Sequence, residues 1–386
     1  MELPGNDRYI DSSAGLETFV AALADDAWFA IDTEFLREST YYPRLCLIQI
    51  ATPTVIGCID PLAIDNLAPL YGVLTDPNIT KVMHACSQDL EILYHLTGQV
   101  PAPLFDTQLA APLLGFAEQI GYANLVQEML GVSLDKGHAR TDWSLRPLDV
   151  KQIEYALDDV RYLVPLYLKV REQLEHSGRA NWLDEDFRRY TAVERYRTEP
   201  EDAWRRIKGT ERLRSGSLAV LQALAEWREN QAQQKDRPRN WILRDDLMLE
   251  VARRRPQSLD TLKAIRDFPQ RTLQNFGDEL VELIAAATKR KAVPAAAGER
   301  PEKATPAQEA IADLLAAYLG VLAQRNSINP ASLASRKQLI ALARGERDLP
   351  LLHGWRKELA GRELTALLDG ERLLTISAGE VSVQTR

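Results

Sequence analysis

Apolar residues in this chain change their spacing once, and that change limits the architecture open to it. Up to about residue 84 they cluster in short strand-like runs. Trp28-Phe29-Ala30-Ile31 leads into Asp32-Thr33-Glu34-Phe35, and Leu45–Ala51, Val55–Ile59 and Lys81-Val82-Met83-His84 follow. Thr52-Pro53 separates the middle two, which predicts a hairpin. From there to residue 176, and again after residue 212, apolar residues recur at three- and four-residue steps, the spacing of amphipathic helices. A sheet is therefore expected only in the front of the chain. Because 386 residues exceed one ordinary core, the expectation is a mixed α/β domain over 1–195 and two all-helical blocks, 212–292 and 306–376. The blocks read as diverged copies. The small-residue and proline stretch within 293–305 reads as a linker, 184–211 as a charged connection, and Thr375–Arg386 as a loose tail.

Composition matters mainly through charge. The net charge is −8, but residues 1–200 hold 16 basic against 30 acidic side chains (−14) and residues 201–386 hold 31 against 25 (+6). An acidic front beside a basic back suits a carboxylate-rich catalytic domain joined to a polyanion-binding one, or simply two unequal solvated surfaces. The second helical block is nearly neutral, 11 basic against 10 acidic over 301–386, and reads as structural. No run of about 18 apolar residues occurs, and Met1–Ile10 lacks a secretory profile, so no membrane association is expected. Three cysteines without a CxxC pair argue against a disulfide scaffold or zinc ribbon and suit a cytoplasmic location.

Five polar residues stand out. Asp32 and Glu34, two apart on a strand, share one face, where crowded carboxylates repel unless a divalent cation bridges them. Asp89 lies where a strand hands over to a helix, which is also the ordinary place for an acid that caps a helix dipole. Tyr155 and Asp159 stack at i, i+4 on a helix with Pro147 in its expected first turn. Val150, Ile153, Ala156, Leu157, Val160, Leu163, Val164 and Tyr167 form its expected apolar face, and Pro165 is expected to kink or end it. Taken singly, each feature has a plain structural reading.

In this order and spacing, D-x-E, H-x4-D and Y-x3-D resemble the three exonuclease motifs of the DEDD superfamily, and Tyr155 resembles the mark of its DEDDy branch. Longer strings are similar to the ribonuclease D family: Thr40-Tyr41-Tyr42-Pro43-Arg44-Leu45-Cys46-Leu47-Ile48-Gln49, Asp142-Trp143-Ser144-Leu145-Arg146-Pro147-Leu148, and Tyr155-Ala156-Leu157-Asp158-Asp159-Val160-Arg161. Leu224-Ala225-Glu226-Trp227-Arg228 and Arg237-Pro238-Arg239-Asn240-Trp241 resemble the helical, nucleic-acid-binding HRDC module. The resemblance implies a ribonuclease H-like α/β exonuclease domain followed by two small all-α HRDC-like domains. It implies a 3′→5′ exoribonuclease that trims RNA 3′ ends, tRNA precursors being the expected substrate, and releases nucleoside 5′-monophosphates. It assigns Asp32, Glu34, Asp89 and Asp159 to two divalent metal ions, Mg²⁺ first and Mn²⁺ as the alternative, with Asp32 bridging. Tyr155 would orient the attacking water and help to deprotonate it.

Further candidates rest on position. His84 reaches substrate or packs; Phe35 wedges against the terminal nucleotide or joins the core; Arg146, with Lys136 and Arg140, contacts phosphate. Lys235, Arg237, Arg239, Arg244 and Arg253-Arg254-Arg255 are candidate phosphate contacts, whereas Trp227 and Trp241 are expected in the core. No feature calls for an obligate protein partner. A DNA 3′ exonuclease and a catalytically silent RNA-binding scaffold are the rival readings.

Overall fold

A computed structural model describes residues 7–24, 26–135, 137, 141–210, 213–290, 292 and 303–386. Lys136, Arg140 and most of the expected linker lie outside the described residues. Strands β1 (Asp7–Ile10), β2 (Trp28–Leu36), β3 (Arg44–Ala51), β4 (Ile56–Ile59), β5 (Thr80–Met83) and β6 (Leu104–Asp106) form one sheet in the order β1-β4-β3-β2-β5-β6. The β2-β3-β4 meander is antiparallel, and β1, β5 and β6 join it in parallel. The expected hairpin is thus β3-β4. Strand β6 falls where only helix was expected, because three residues are too few to show a period of two.

Helices cover both faces: α1 (Ser13–Leu23), α2 (Ala68–Thr75) and α3 (Ser87–Thr97) on one, α4 (Thr107–Ala110), α5 (Tyr122–Leu130), α6 (Val150–Arg161) and α7 (Leu163–His176) on the other. Alternation along β2 sorts its side chains between them. Phe29 and Ile31 enter the α1–α3 core, and Trp28 and Ala30 enter the α5–α7 core. The same alternation aims Asp32 and Glu34 toward α6. Two expectations for α6 need correction. Val150 is 71% exposed and outside the apolar face, and Pro147 lies before the helix, whose N-cap is Asp149. Helix α6 ends at Arg161, four residues before Pro165, as expected of a proline that offers no N–H to the i−4 carbonyl, and Pro165 sits in the first turn of α7.

The helical part begins earlier than residue 212. Tyr196 is still buried in the α1–α3 core, whereas Ala203, Trp204 and Ile207 already pack with the helices Ser215–Gln234, Asp245–Arg254 and Gln270–Thr288. A further core gathers the helices Pro306–Arg325, Arg336–Ala343 and Arg362–Leu368. Thr375–Arg386 is no loose tail, since Arg372–Ser377 pairs antiparallel with Glu380–Thr385, and Leu374 and Val383 lie against that last core.

Both helical blocks grip the α/β domain. Asp236 Oδ1 accepts from the backbone N–H groups of Tyr41 and Tyr42 at 3.0 Å each, and Arg239 donates to the Tyr41 hydroxyl at 2.8 Å. That hydroxyl in turn donates to Glu229. On the other side Trp355 stacks on Trp182 at 4.4 Å, and Arg356 pairs with Asp186 at 3.0 Å. The first block therefore holds the loop that leaves β2 after Leu36, two residues beyond Glu34.

Candidate active site

Asp32, Glu34 and Asp159 converge. Each offers a carboxylate oxygen, and the three lie within 4.8 Å of one another, among the described residues the only such group of three acids, histidines or cysteines. Asp32 and Glu34 come from the α6-facing side of β2, and Asp159 comes down from α6. The helix is fixed at its start by a capping box in which Asp149 accepts from the Gln152 N–H at 2.8 Å and Gln152 accepts from the Asp149 N–H at 2.9 Å. Tyr155, one turn before Asp159, rests against Trp143 at 6.2 Å between ring centres. Tyr155 and Asp159 line a cleft with Leu134, Asp135 and Tyr122.

Asp89 stands next to this trio in the first turn of α3 and is buried, its Oδ1 accepting from the Thr33 hydroxyl at 2.5 Å. Thr33 lies between the two acids of β2, so the strand itself anchors the fourth carboxylate. Glu91, two residues beyond Asp89 on the same helix, faces out and pairs with Arg37 at 2.7 Å. The start of α3 is held by Asp106, which accepts from the N–H groups of Ala85 at 3.2 Å and Cys86 at 2.8 Å. Neither Asp106 nor Tyr122, a half-buried tyrosine that donates to the Asp158 carbonyl at 2.9 Å, was legible in the sequence, because their partners lie 20 to 36 residues away.

The four carboxyls all hold their protons more tightly than free acids do. Burial, reinforced by Asp89, Asp159 and Glu34, holds the Asp32 carboxyl well above the ordinary range. Burial and the Asp159 and Asp89 charges push Glu34 up to about 8. Burial with Asp158 pushes Asp159 to about 7, and burial pushes Asp89 to about 6 despite the Thr33 hydrogen bond. A carboxyl raised in this way binds its proton more tightly folded than unfolded. Its contribution to stability is complete below the unfolded value and is lost as pH rises through the folded one. The chelated protein should therefore lose melting temperature between about pH 4 and 8, more steeply than Glu34→Gln, and Mg²⁺ should blunt the fall. A fall equally steep in both proteins would mean that this cluster is not its source.

The peripheral candidates fare differently. Both ring nitrogens of His84 are spent inside the chain, Nδ1 with the Thr107 hydroxyl at 2.9 Å and Nε2 with the Ile120 carbonyl at 3.1 Å, so His84 packs and does not reach substrate. Arg146 is likewise corrected. It grips Asp60 through two hydrogen bonds of 2.6 and 2.7 Å and spends its other donors on the carbonyls of Trp143, Leu145 and Cys46. Phe35 is half-buried against the α1–α3 core. Arg239 belongs to the domain contact, held by Glu229 at 2.6 Å and by Tyr41, and is not available to phosphate. Arg253 and Arg254 are exposed and share Glu250. Lys235 lies over the Phe276 ring at 3.9 Å, Arg244 pairs with Asp246 at 3.1 Å, and Arg237 sits 5.8 Å from the Trp241 ring; all three cations are exposed. Trp227 is in the core as expected, but Trp241 is 61% exposed.

Comparison with known proteins bears on this geometry. Residues 8–175 match a 3′-5′ exonuclease family model, and residues 217–284 match an HRDC domain model. Ribonuclease D of Sphingobium indicum is 39% identical over 385 residues, 97% of each chain. That of Pseudomonas paraeruginosa is 40% identical over 375 residues, 94% of this chain and 97% of the relative. The crystal structure of Escherichia coli RNase D, described as an exoribonuclease involved in structured RNA processing, superposes with a TM-score of 0.80 at 34% identity, covering 95% of this chain and 99% of that one.

Proposed function

Because the chain belongs to the ribonuclease D family of metal-dependent 3′→5′ exoribonucleases, we propose that it trims the 3′ ends of tRNA precursors by a two-metal-ion hydrolysis at Asp32, Glu34, Asp89 and Asp159. The convergence of three carboxylates within 4.8 Å of one another carries this reading. All four acids offer hard oxygen donors, which fit Mg²⁺ or Mn²⁺, and their raised proton affinities reflect burial and, at Asp32 and Glu34, repulsion by the other acids of the cluster, both of which cations would offset. Bound there, two ions supply activation of the attacking water and stabilisation of the leaving 3′ oxygen.

The chain's own residues do the rest. Asp32, whose carboxyl feels the charges of the other three acids, would be the ligand shared by both ions. Glu34, Asp89 and Asp159 complete the set from β2, α3 and α6. The Tyr155 hydroxyl orients the water and stays protonated, because burial and the surrounding acids raise its pKa above the ordinary tyrosine value. Help with deprotonation, one part of the role the resemblance suggested, is therefore assigned to the metal site. Phe35, which follows Glu34 in β2 and is half-buried against the α1–α3 core, is the further candidate to meet the terminal nucleotide. The domains we propose are an exonuclease domain over 1–195, HRDC-like domains over 212–292 and 306–376, and a linker over 293–305, with 203–207 packing into the first HRDC-like core. A cytoplasmic location without an obligate protein partner fits this role, and among the described residues no helix is long and apolar enough to cross a membrane.

Trimming of a tRNA precursor with a short 3′ extension tests the substrate. The extension should disappear residue by residue in Mg²⁺ and stop near the mature end, and an inert extension beside degradation of unstructured RNA would overturn it. Lys235 and Arg244 are the phosphate contacts we propose to test, being exposed and outside the domain contact. Lys235→Ala with Arg244→Ala should raise KM for a tRNA-sized substrate and flatten its log–log salt slope by nearly one unit per lost contact, leaving a short single strand unaffected. Equal losses on both substrates would mean that this block only braces the α/β domain.

A further inference from the structure

One buried side chain on the α6 side of the sheet has no visible reason to be polar. Gln49 lies in β3 among Leu47, Ile48, Ile50 and Ala51, is 0% exposed, and neither its Nε2 nor its Oε1 has a hydrogen-bond partner among the described residues. Native chains seldom leave such an amide unsatisfied without a functional, ion or water-binding reason. Its place in the sheet supplies one. In the antiparallel β2-β3 pair, Gln49 is directly opposite Asp32, Leu47 is opposite Glu34, and Ala51 is opposite Ala30. Directly paired residues share a face and bring their Cβ atoms to about 5 Å. Gln49 is therefore the immediate lateral neighbour of Asp32. Its neighbour on the other strand is Cys58, whose sulfur is a weak hydrogen-bonding group.

We propose that Gln49 is a positioning residue of the metal site, its amide N–H donating to the Asp32 carboxylate and holding it turned for bridging. The inference rests on the reading of Asp32 as a metal ligand. A carboxylate gathered with others around cations has an outer oxygen lobe that needs a donor, and such partners orient ligands without touching the metal. Among the described residues, the Thr33 hydroxyl does this for Asp89. Gln49 does it for Asp32, and the cost is an amide left without a partner until the ligand set is drawn together.

The sign of this cost gives the test, on the full chain. Gln49→Met keeps the volume and removes the amide. In chelator its melting temperature should equal or exceed that of the wild type, because an unsatisfied polar group has been removed. The Mg²⁺ midpoint, read from both the melting temperature and the rate, should rise ten- to hundredfold, with the rate recovering at saturating Mg²⁺. Gln49→Asn, one methylene too short to reach, should show the same midpoint shift if the Met variant is poorly soluble. A melting temperature that drops in chelator with an unchanged Mg²⁺ midpoint would overturn the proposal and assign the amide to a buried water. If Mg²⁺ changes neither the melting temperature nor the rate of the wild type, the assignment of Asp32 as ligand fails first and the inference falls with it.

Discussion

Asp32→Asn is expected to reduce exonuclease activity to that of the chelated wild type while leaving the fold intact. The substitution keeps the shape of the side chain and removes one charge from the centre of four mutually repelling carboxylates. Asp32 takes burial and the charges of Asp89, Asp159 and Glu34 together, so no other position in the site bears on as many partners. Relief of that repulsion should make the metal-free variant at least as stable as the wild type near pH 8, where the neighbouring acids ionise. Asp159→Asn should be equally inactive, since it removes the single carboxylate that α6 contributes to the trio. Substantial Mg²⁺-dependent activity in either variant, measured on a 5′-labelled single-stranded RNA, would remove that residue from the ligand set.

Tyr155→Phe separates orientation from metal binding. It preserves the ring that packs beside Trp143 and deletes only the hydroxyl facing Asp159, Glu34 and Asp32. The expected result is a rate lower by roughly 10²–10⁴, the usual worth of a positioned proton-handling group, with the Mg²⁺ midpoint unchanged. The protonated state of the hydroxyl adds a second expectation. The wild-type rate should follow ionisation of the carboxylates and show no rise that tracks a tyrosine. A Mg²⁺ midpoint that collapses together with the rate would make Tyr155 a prop for the metal site.

What could be read from sequence divides along the range of the interactions. Asp32 and Glu34 were legible because strand alternation alone puts residues two apart on one face, and Tyr155 with Asp159 because a helix does the same at four. Those rules are local and survive without coordinates. Arg146 was misassigned and His84 left open for the opposite reason. A cation or imidazole in a polar stretch looks free until its partners are known, and theirs are Asp60, 86 residues away, and Ile120, 36 residues away. Arg239 was lost as a phosphate contact through Tyr41, which is 198 residues distant. Trp241 was expected in the core, yet the short helix Arg239–Ile242 buries Ile242 and turns the indole outward. The C-terminal hairpin was missed because its strands are half-exposed, with only Leu374 and Val383 laid against the last core. Gln49 is the intermediate case. A single amide inside a run of aliphatics was visible in the sequence, and only the pairing of β3 with β2 gives it a neighbour.

The contact between the first helical block and the loop after β2 changes how that block is understood. With Tyr41 and Tyr42 held by Asp236, and the Tyr41 hydroxyl held by Glu229 and Arg239, the loop that follows the two acids of β2 is anchored across the domain boundary. The block is thus more than a tether. Removing it would free this loop as well as any phosphate contacts, which is why point substitutions at Lys235 and Arg244 isolate RNA binding and truncation does not.

The most direct test of the account follows the products of a single 5′-labelled RNA and its matched DNA, each with Mg²⁺ and with chelator. The account predicts stepwise shortening of the RNA from its 3′ end with release of nucleoside 5′-monophosphates in Mg²⁺, far slower shortening of the DNA, and no reaction of either in chelator. Cleavage that persists in chelator, or internal fragments in place of a 3′ ladder, would contradict it.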